Sequence, residues 1–172
     1  MKIADAMDMK GRLIIQRFNP DGEKIDEVKA NNFIVYSGRD LVAKMFLNQQ
    51  IAPIRYLAVG TGSSPVNPIT DTALQQEIFR KEVKTLDLSR DLSDTDEITV
   101  KVDSGGTLIQ KNRKVRLCVD LDFAEPANQP VPLTEAGLFN AAEGGIMYNR
   151  VVFPNITKTV DFKLTLVWEI IF

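Results

Sequence analysis

Apolar side chains occupy every second position over the last eleven residues of the chain, and this alternation constrains the fold more than any other feature. The six residues are Phe162, Leu164, Leu166, Trp168, Ile170 and Phe172. Successive side chains of a β-strand point to opposite faces of a sheet, so the pattern predicts a strand with one face in the core. We therefore expect Trp168 to pack in the core.

A second segment has the same periodicity and predicts another long strand. Its apolar face comprises Val115, Leu117, Val119, Leu121 and Phe123, with Lys114, Arg116, Asp120 and Asp122 on the other face. Ile98, Val100 and Val102 alternate with polar residues in the same way and predict a shorter strand. Between these two strands, Ser104-Gly105-Gly106 has the composition of a hairpin loop.

The N-terminal part of the chain predicts a hairpin followed by a helix. Turn-forming residues at 19–22 separate two strand-like segments at 12–18 and 24–35. Apolar residues then recur at helical spacing and predict a helix over 37–47, with Ser37 as its N-terminal cap.

The remaining elements are predicted from short apolar runs and from the residues that cap helices or interrupt strands. Strands are predicted at 54–59 and 146–153, and Asp71 or Thr72 is expected to cap a short helix between them. The segment from Ala124 to Pro132 contains three prolines, so we interpret it as a connection rather than as a central strand.

Together these elements describe a mainly β protein. About seven or eight strands with one or two short helices favour an antiparallel β-sandwich over a fold of alternating strands and helices. The 172 residues suit one domain, and no linker, low-complexity segment or internal repeat divides them. We therefore predict a single β-rich domain over residues 1–172.

Charge and apolar content restrict the classes of partner. The 21 basic and 23 acidic residues give a formal net charge of −2 without a long basic run, which argues against nucleic acid as a partner. No apolar run reaches the roughly 18 residues of a membrane span, so no membrane partner is expected. Met1 to Gly11 lacks the apolar core of a signal peptide, and Cys118 is the only cysteine, so assembly in the cytoplasm is expected.

The residue types that most often perform catalysis are missing or isolated. The chain has no histidine, which excludes nucleophiles activated by histidine and removes the commonest transition-metal ligand. Cys118 lies within a predicted strand and is interpreted as an inert residue. We predict a protein with no catalytic residues, no enzymatic activity and no cofactor.

Two polar segments have only a superficial likeness to ligand sites. Gly60-Thr61-Gly62 is not followed by the Gly-Lys-Ser/Thr of a phosphate loop, and we interpret its glycines as residues of positive φ at a tight strand exit. A cluster of four acidic residues lacks the spacing of a calcium-binding loop. We interpret it as a solvated connection without a metal site; its residues are Asp91, Asp94, Asp96 and Glu97.

Three further blocks of residues are the most specific part of the sequence. The first is 31–41, the second comprises 54–62, 70–74, Glu77 and Arg80, and the third comprises 135–139, 144–150 and 153–159. The most recognisable residues form a loop motif: Gly60, Thr61, Gly62, Asp71, Thr72 and Leu74. These blocks resemble a pattern of bacteriophage tail fibre and tail-collar-like virion structural proteins. The resemblance covers roughly half of the chain and implies a shared fold.

The resemblance implies a non-enzymatic virion subunit of a tail fibre, baseplate or tail adaptor that acts through protein–protein contacts. The expected partners are copies of itself and neighbouring tail, baseplate or neck proteins. A trimer is favoured in a fibre, with six-fold arrangements at a baseplate. The expected location is the virion, with the tail favoured, after synthesis and assembly in the host cytoplasm. Since the chain ends at Phe172 without a long shaft or receptor-binding tip, an adaptor or accessory subunit is expected.

Two other functions stay open from the sequence. The sandwich could decorate a capsid or neck, or it could bind a host-surface glycan through residues 63–70 or Trp168. For self-association, the second face of the terminal strand is the candidate, because Val167 and Ile171 are apolar there beside charged residues. Glutamates at both positions are expected to disrupt assembly more than folding.

Overall fold

The computed structural model describes residues 9–47, 49–101 and 104–172, and these form a mainly β protein. The strands lie in two five-stranded sheets and one two-stranded ribbon, and all paired strands are antiparallel. The predicted fold class, an antiparallel β-sandwich with one or two short helices, is confirmed. Residues 1–8, Asp103 and Val102 of the predicted short strand lie outside the described residues.

The chain contributes its strands and two helices in the following order. They are β1 (Lys10–Phe18), β2 (Lys24–Asn31), β3 (Phe33–Ile34), α1 (Tyr36–Phe46), β4 (Tyr56–Gly60), β5 (Glu77–Glu82), α2 (Leu88–Asp91), β6 (Leu92–Asp94), β7 (Ile98–Lys101), β8 (Thr107–Gln110), β9 (Arg113–Leu121), β10 (Val131–Phe139), β11 (Met147–Lys158) and β12 (Lys163–Ile171).

The first sheet is built around the C-terminal strand, in the order β2-β1-β12-β9-β6. The predicted N-terminal hairpin is confirmed as β1 and β2. Trp168 on β12 lies opposite Leu13 of β1 on one side and Leu117 of β9 on the other. The terminal strand is therefore part of the sheet, at its centre.

The second sheet has the order β3-β11-β10-β4-β5 and packs its inner face against the first. Both inner faces contribute to one core, whose members include Leu13, Ile15, Leu57, Val59, Leu117, Val119, Leu138, Val151, Leu166 and Trp168. Trp168 is completely buried, so the predicted core position is confirmed. Neither described helix is long and apolar enough to span a membrane.

Central strand β10 was not predicted, because Pro126, Pro130 and Pro132 indicated a connection up to its second residue. Pro132 lies at the second position of β10, close to the start of the strand, where a missing backbone donor is best tolerated. Strands β5, β6 and β8 were also missed, so the described chain has more strands than the seven or eight expected. Asp94, predicted to lie in a solvated connection, is the last residue of β6. The predicted loop at 104–106 is confirmed as a hairpin turn, but it joins β7 to β8 and not to the long strand β9.

The start of helix α1 differs from the prediction in its cap. Val35 occupies the N-cap position without a side-chain hydrogen bond. The Ser37 hydroxyl instead donates to the Met147 carbonyl oxygen at 2.8 Å, which fixes the helix to β11. The predicted capping role of Ser37 is therefore wrong, although the predicted helix is confirmed.

The predicted strand over 24–35 is divided at Asn32. The residues before it belong to β2 at the edge of the first sheet, and Phe33 and Ile34 form β3 at the edge of the second. The chain passes from one sheet to the other at this residue. This corner places Phe33 and Tyr36, which follow Asn32 in the chain, between the two sheets.

Candidate interaction surface

Glu135 is a buried carboxylate that holds the loop between β4 and β5. Its side chain is 0% exposed. Its two oxygens accept backbone N–H donors from Gly62 at 3.1 Å, Gln75 at 3.0 Å and Gln76 at 2.7 Å. Since these donors lie at both ends of the loop, one carboxylate closes the loop onto strand β10.

Arg150 on the neighbouring strand β11 completes the anchor. Its Nε donates to Glu135 at 2.9 Å, and its Nη1 donates to Asp71 at 2.9 Å. Its Nη2 donates to the Ser64 carbonyl oxygen at 3.2 Å, and its side chain is only 3% exposed. A buried charge is tolerated when it is paired and hydrogen-bonded, and this network satisfies both conditions.

Gly60 and Gly62 are required by space and not by backbone conformation. Neither has the positive φ that we predicted from the sequence, so that interpretation is wrong. A Cβ atom on Gly60 would lie 2.4 Å from the Gln76 carbonyl oxygen, and one on Gly62 would lie 2.4 Å from a Glu135 oxygen. The missing side chains therefore allow the carboxylate to approach the loop backbone.

The structure brings most of the predicted loop motif together. Gly60, Gly62 and Asp71 contact or pair with the network above, and the Thr61 N–H donates to the Gln76 carbonyl oxygen at 3.0 Å. Leu74 is buried in a small cluster with Val35, Ala58, Phe139 and Met147. Thr72 is exposed. The short helix predicted to begin at Asp71 or Thr72 does not form in the described residues, because the backbone N–H groups of Gln75 and Gln76 donate to Glu135 instead.

Arg80 fixes the far end of the loop, where β5 begins. It pairs with Glu77 at 2.7 Å and lies over the Phe139 ring, 3.8 Å from its centroid. Its Nη1 also donates to the carbonyl oxygens of Ala141 and Gly144, both at 2.8 Å. Glu77 and Arg80 of the second block thus have structural roles.

The anchored loop carries an apolar tip to the corner between the sheets. The Tyr36 N–H donates to the Pro68 carbonyl oxygen at 2.7 Å, which seats the tip beside helix α1. Ile69 is 78% exposed, Tyr36 is 67% exposed and Phe33 is 54% exposed. These three side chains, which we call the corner surface, are among the residues that line a pocket of about 500 Å³. A group of neighbouring exposed apolar side chains is a candidate contact site.

The proposed self-association residues lie elsewhere. Val167 is only 3% exposed, between Ile14 of β1 and Cys118 of β9, so it offers almost no area to a partner. Ile171 is half-buried near the end of β12. Trp168 is buried in the core and has no face available for a glycan, which removes it from that hypothesis.

The other polar candidates have local structural explanations. Asp91 pairs with Arg90, which lowers the pKa of its carboxyl to about 2, and Asp94 pairs with Lys111 and Arg113. Asp91 is buried, so the cluster is not wholly the solvated connection that was predicted. Burial raises the pKa of the Cys118 thiol. Within the described ranges no three His, Cys, Asp or Glu side chains are grouped so that they could hold a metal ion.

The roles of Glu135 and Arg150 were missed from the sequence, although both lie in the third block. The sequence feature that could have indicated these roles is a single charged residue next to an apolar run. Glu135 precedes Ala-Gly-Leu-Phe, and Arg150 precedes Val-Val-Phe. An ionised residue in a buried strand requires a partner. The corner surface was missed because Ile69 is far in sequence from Phe33 and Tyr36.

Comparisons of the chain with protein-family models, with curated proteins and with solved structures find no match.

Proposed function

We propose that this chain is a non-enzymatic structural subunit of a bacteriophage virion that acts through protein–protein contacts. A tail fibre, baseplate or tail adaptor is the preferred location. The phage assignment rests on the three blocks that resemble tail fibre and tail-collar-like proteins. The contact role rests on one observation, which is that Glu135 and Arg150 anchor a loop whose tip is apolar and exposed at Ile69.

The anchoring supports a binding role because it fixes the loop before a partner arrives. Glu135 and Arg150 together make five hydrogen bonds that tie the loop to strands β10 and β11, besides the bond between them. A pre-organised loop loses less conformational entropy on binding than a flexible one does. Such a loop suits a subunit that makes the same contact many times in a symmetric particle.

The location is tested by mass spectrometry of purified particles from the producing host. The chain should be present in intact virions, and its absence would refute the virion assignment. Antibody labelling of whole particles separates the preferred tail position from the alternative, decoration of the capsid or neck. Labelling on the head would favour the alternative.

The contact role is tested by charge substitutions in the corner surface. Ile69→Asp with Tyr36→Asp should lower incorporation into particles at least about tenfold, because a charge buried at the centre of an interface is unfavourable. Leu88→Asp is the matched control, since Leu88 is similarly exposed on the short helix α2. Equal incorporation of both variants, with both folded, would show that the corner surface makes no essential contact.

A further inference from the structure

Helix α1 presents apolar side chains on the face opposite its buried one. Leu41 lies on the inner face and is buried. On the outer face, Tyr36 is 67% exposed and Ala43 is also exposed. At the end of the helix, Phe46 is 87% exposed and Leu47, the C-cap residue, is 71% exposed. A surface helix normally has a polar outer face, so this apolar face is expected to be covered in an assembly.

The residues along the outer face are spaced for packing against another helix. Tyr36, Asp40, Ala43 and Leu47 follow one another at intervals of four, three and four residues. This alternation of intervals forms the seam between two packed helices. The small side chain of Ala43 lets two helix backbones approach to the interaxial distance of about 8–10 Å that packed helices have. A helix therefore fits this face better than a strand does.

The charges of this face favour a second copy of α1 as the partner. Asp40 and Lys44 lie one turn apart and pair at 2.6 Å within the chain. If two α1 helices pack antiparallel, Asp40 of each copy lies next to Lys44 of the other, and both contacts are attractive. If the helices pack parallel, like charges meet at both positions. The pattern is therefore self-complementary in the antiparallel arrangement, and a polar residue within such a seam selects the orientation.

The two ends of α1 also complement each other. Its first residue, Tyr36, lines the pocket of about 500 Å³ described above, which we call the corner pocket. Its last residue, Phe46, is the most exposed large apolar side chain in the described part of the chain. An antiparallel pair places the end of each helix beside the start of the other. Phe46 of each copy then reaches the corner pocket of the other copy.

The apolar area at this face is sufficient for a stable dimer. Five large apolar side chains are each more than half exposed there: Phe33, Tyr36, Phe46, Leu47 and Ile69. Burial of one aromatic side chain covers about 150–250 Å². Three aromatic and two aliphatic side chains therefore approach the roughly 800 Å² that each partner contributes to a standard interface.

We propose that the outer face of α1 is the interface of a two-fold symmetric dimer, in which two α1 helices pack antiparallel and Phe46 of each copy enters the corner pocket of the other. The proposal rests on the contact role of the corner surface, to which it assigns a partner, and it does not depend on the virion assignment. A two-fold contact is compatible with the trimer favoured for a fibre, because two-fold and three-fold axes combine in a D3 assembly.

Sedimentation velocity of purified variants tests the charge pattern. Asp40→Lys and Lys44→Asp each place like charges in the seam, and each should weaken self-association at least about tenfold. An equimolar mixture of the two variants should associate as the wild type does, because a basic seam then meets an acidic one. Lys24→Asp is the matched control, since Lys24 also belongs to an exposed ion pair, on strand β2, and it should leave association unchanged.

Disulfide trapping tests the orientation. In a Cys118→Ser background, Tyr36→Cys with Leu47→Cys should give covalent dimers under oxidised glutathione. Eleven helical residues separate the two positions by about 16 Å within one chain, whereas a disulfide requires Cα atoms within about 7 Å, so only a bridge between copies can form. Tyr36→Cys alone and Leu47→Cys alone are the controls and should cross-link at least about tenfold less.

Four results would overturn the proposal. The first is a wild type that is monomeric at micromolar concentration, and the second is a mixture of the charge variants that associates no better than either variant alone. The third is the absence of covalent dimers in the double cysteine variant. The fourth is equal cross-linking by the single variants, which would show a parallel contact. Since no particle is involved, failure here is distinct from failure of the virion assignment.

Discussion

The carboxylate of Glu135 and the guanidinium of Arg150 form an ion pair at 2.9 Å between adjacent strands, where neither side chain has appreciable contact with solvent. The pair joins two central elements, β10 and β11, to the loop that carries the corner surface. The pair matters for stability because it is buried: a charge that loses its partner in the interior is not solvated by water.

Arg150→Met should therefore lower the free energy of unfolding by about 3–5 kcal/mol, because it leaves the Glu135 carboxylate buried without its cation. Urea unfolding of the purified protein measures the change. Lys44→Met is the matched control, since Lys44 pairs with Asp40 at 2.6 Å on the surface of α1 and should contribute no more than about 1 kcal/mol. Similar losses for both variants would contradict a special role for the buried pair.

Gly62→Ala should loosen the loop without unfolding the sandwich. The added Cβ displaces a Glu135 oxygen, and we expect a loss of about 1–3 kcal/mol together with faster hydrogen exchange at the Gln75 and Gln76 amides. Gly22→Ala is the control, because Gly22 has open space around it and a positive φ in a distant turn. Exchange at 75 and 76 that is unchanged in Gly62→Ala would contradict the loop-anchoring role.

Trp168→Ala should destabilise the protein by about 3–5 kcal/mol, since the side chain is fully buried at the centre of the first sheet. Thermal or urea unfolding gives the measurement, with Leu88→Ala on an exposed helix as the control. An unchanged melting temperature would show that the alternating face of β12 is not in the core.

Val167→Glu should now impair folding before it impairs assembly, which reverses the expectation from the sequence. A carboxylate at this nearly inaccessible position in a central strand lacks a partner and is costly to bury. Ile171→Glu, at a half-buried position near the strand end, should be milder. Circular dichroism separates folding from assembly, and a folded Val167→Glu variant would contradict this expectation.

Self-association itself is a separate prediction, with a trimer favoured for a fibre subunit. Sedimentation velocity of the wild type at micromolar concentration should detect the oligomer, and a purely monomeric species would contradict self-association of the isolated chain.

Alkaline pH should destabilise the protein through Tyr148. Burial raises the pKa of this phenol to about 12, so the folded state favours the neutral form. The ordinary tyrosine pKa is about 10, and the stabilisation is therefore complete below pH 10 and is lost as the pH rises towards about 12. Tyr148→Phe should lose less stability than wild type between pH 8 and 11 in urea unfolding. Tyr36→Phe is the exposed control, and equal pH dependence of all three proteins would contradict the assignment to Tyr148.

Local patterns accounted for much of the fold. The periodicity of two at Trp168 and its alternate neighbours predicted a strand and its buried face, because side-chain direction in a strand is a property of the backbone alone. The hairpin of β1 and β2, helix α1 and strand β9 followed from signals within a few residues of each element. Strand β10 did not, because the prolines before it and its mixed composition concealed a strand whose pairing is decided by β11 and β4.

The candidate site illustrates the same division. From the sequence, the resemblance grouped Gly60, Gly62 and Asp71 in one loop motif, and the alternation of apolar residues predicted that Trp168 faces the core. Only the tertiary structure decided that Glu135 closes this loop from 73 residues away, and that Val167 is covered by strands on both sides. The physical reason is that a local pattern specifies which face of an element is apolar, whereas the burial of its second face and the partners of its charges depend on neighbours brought together by folding.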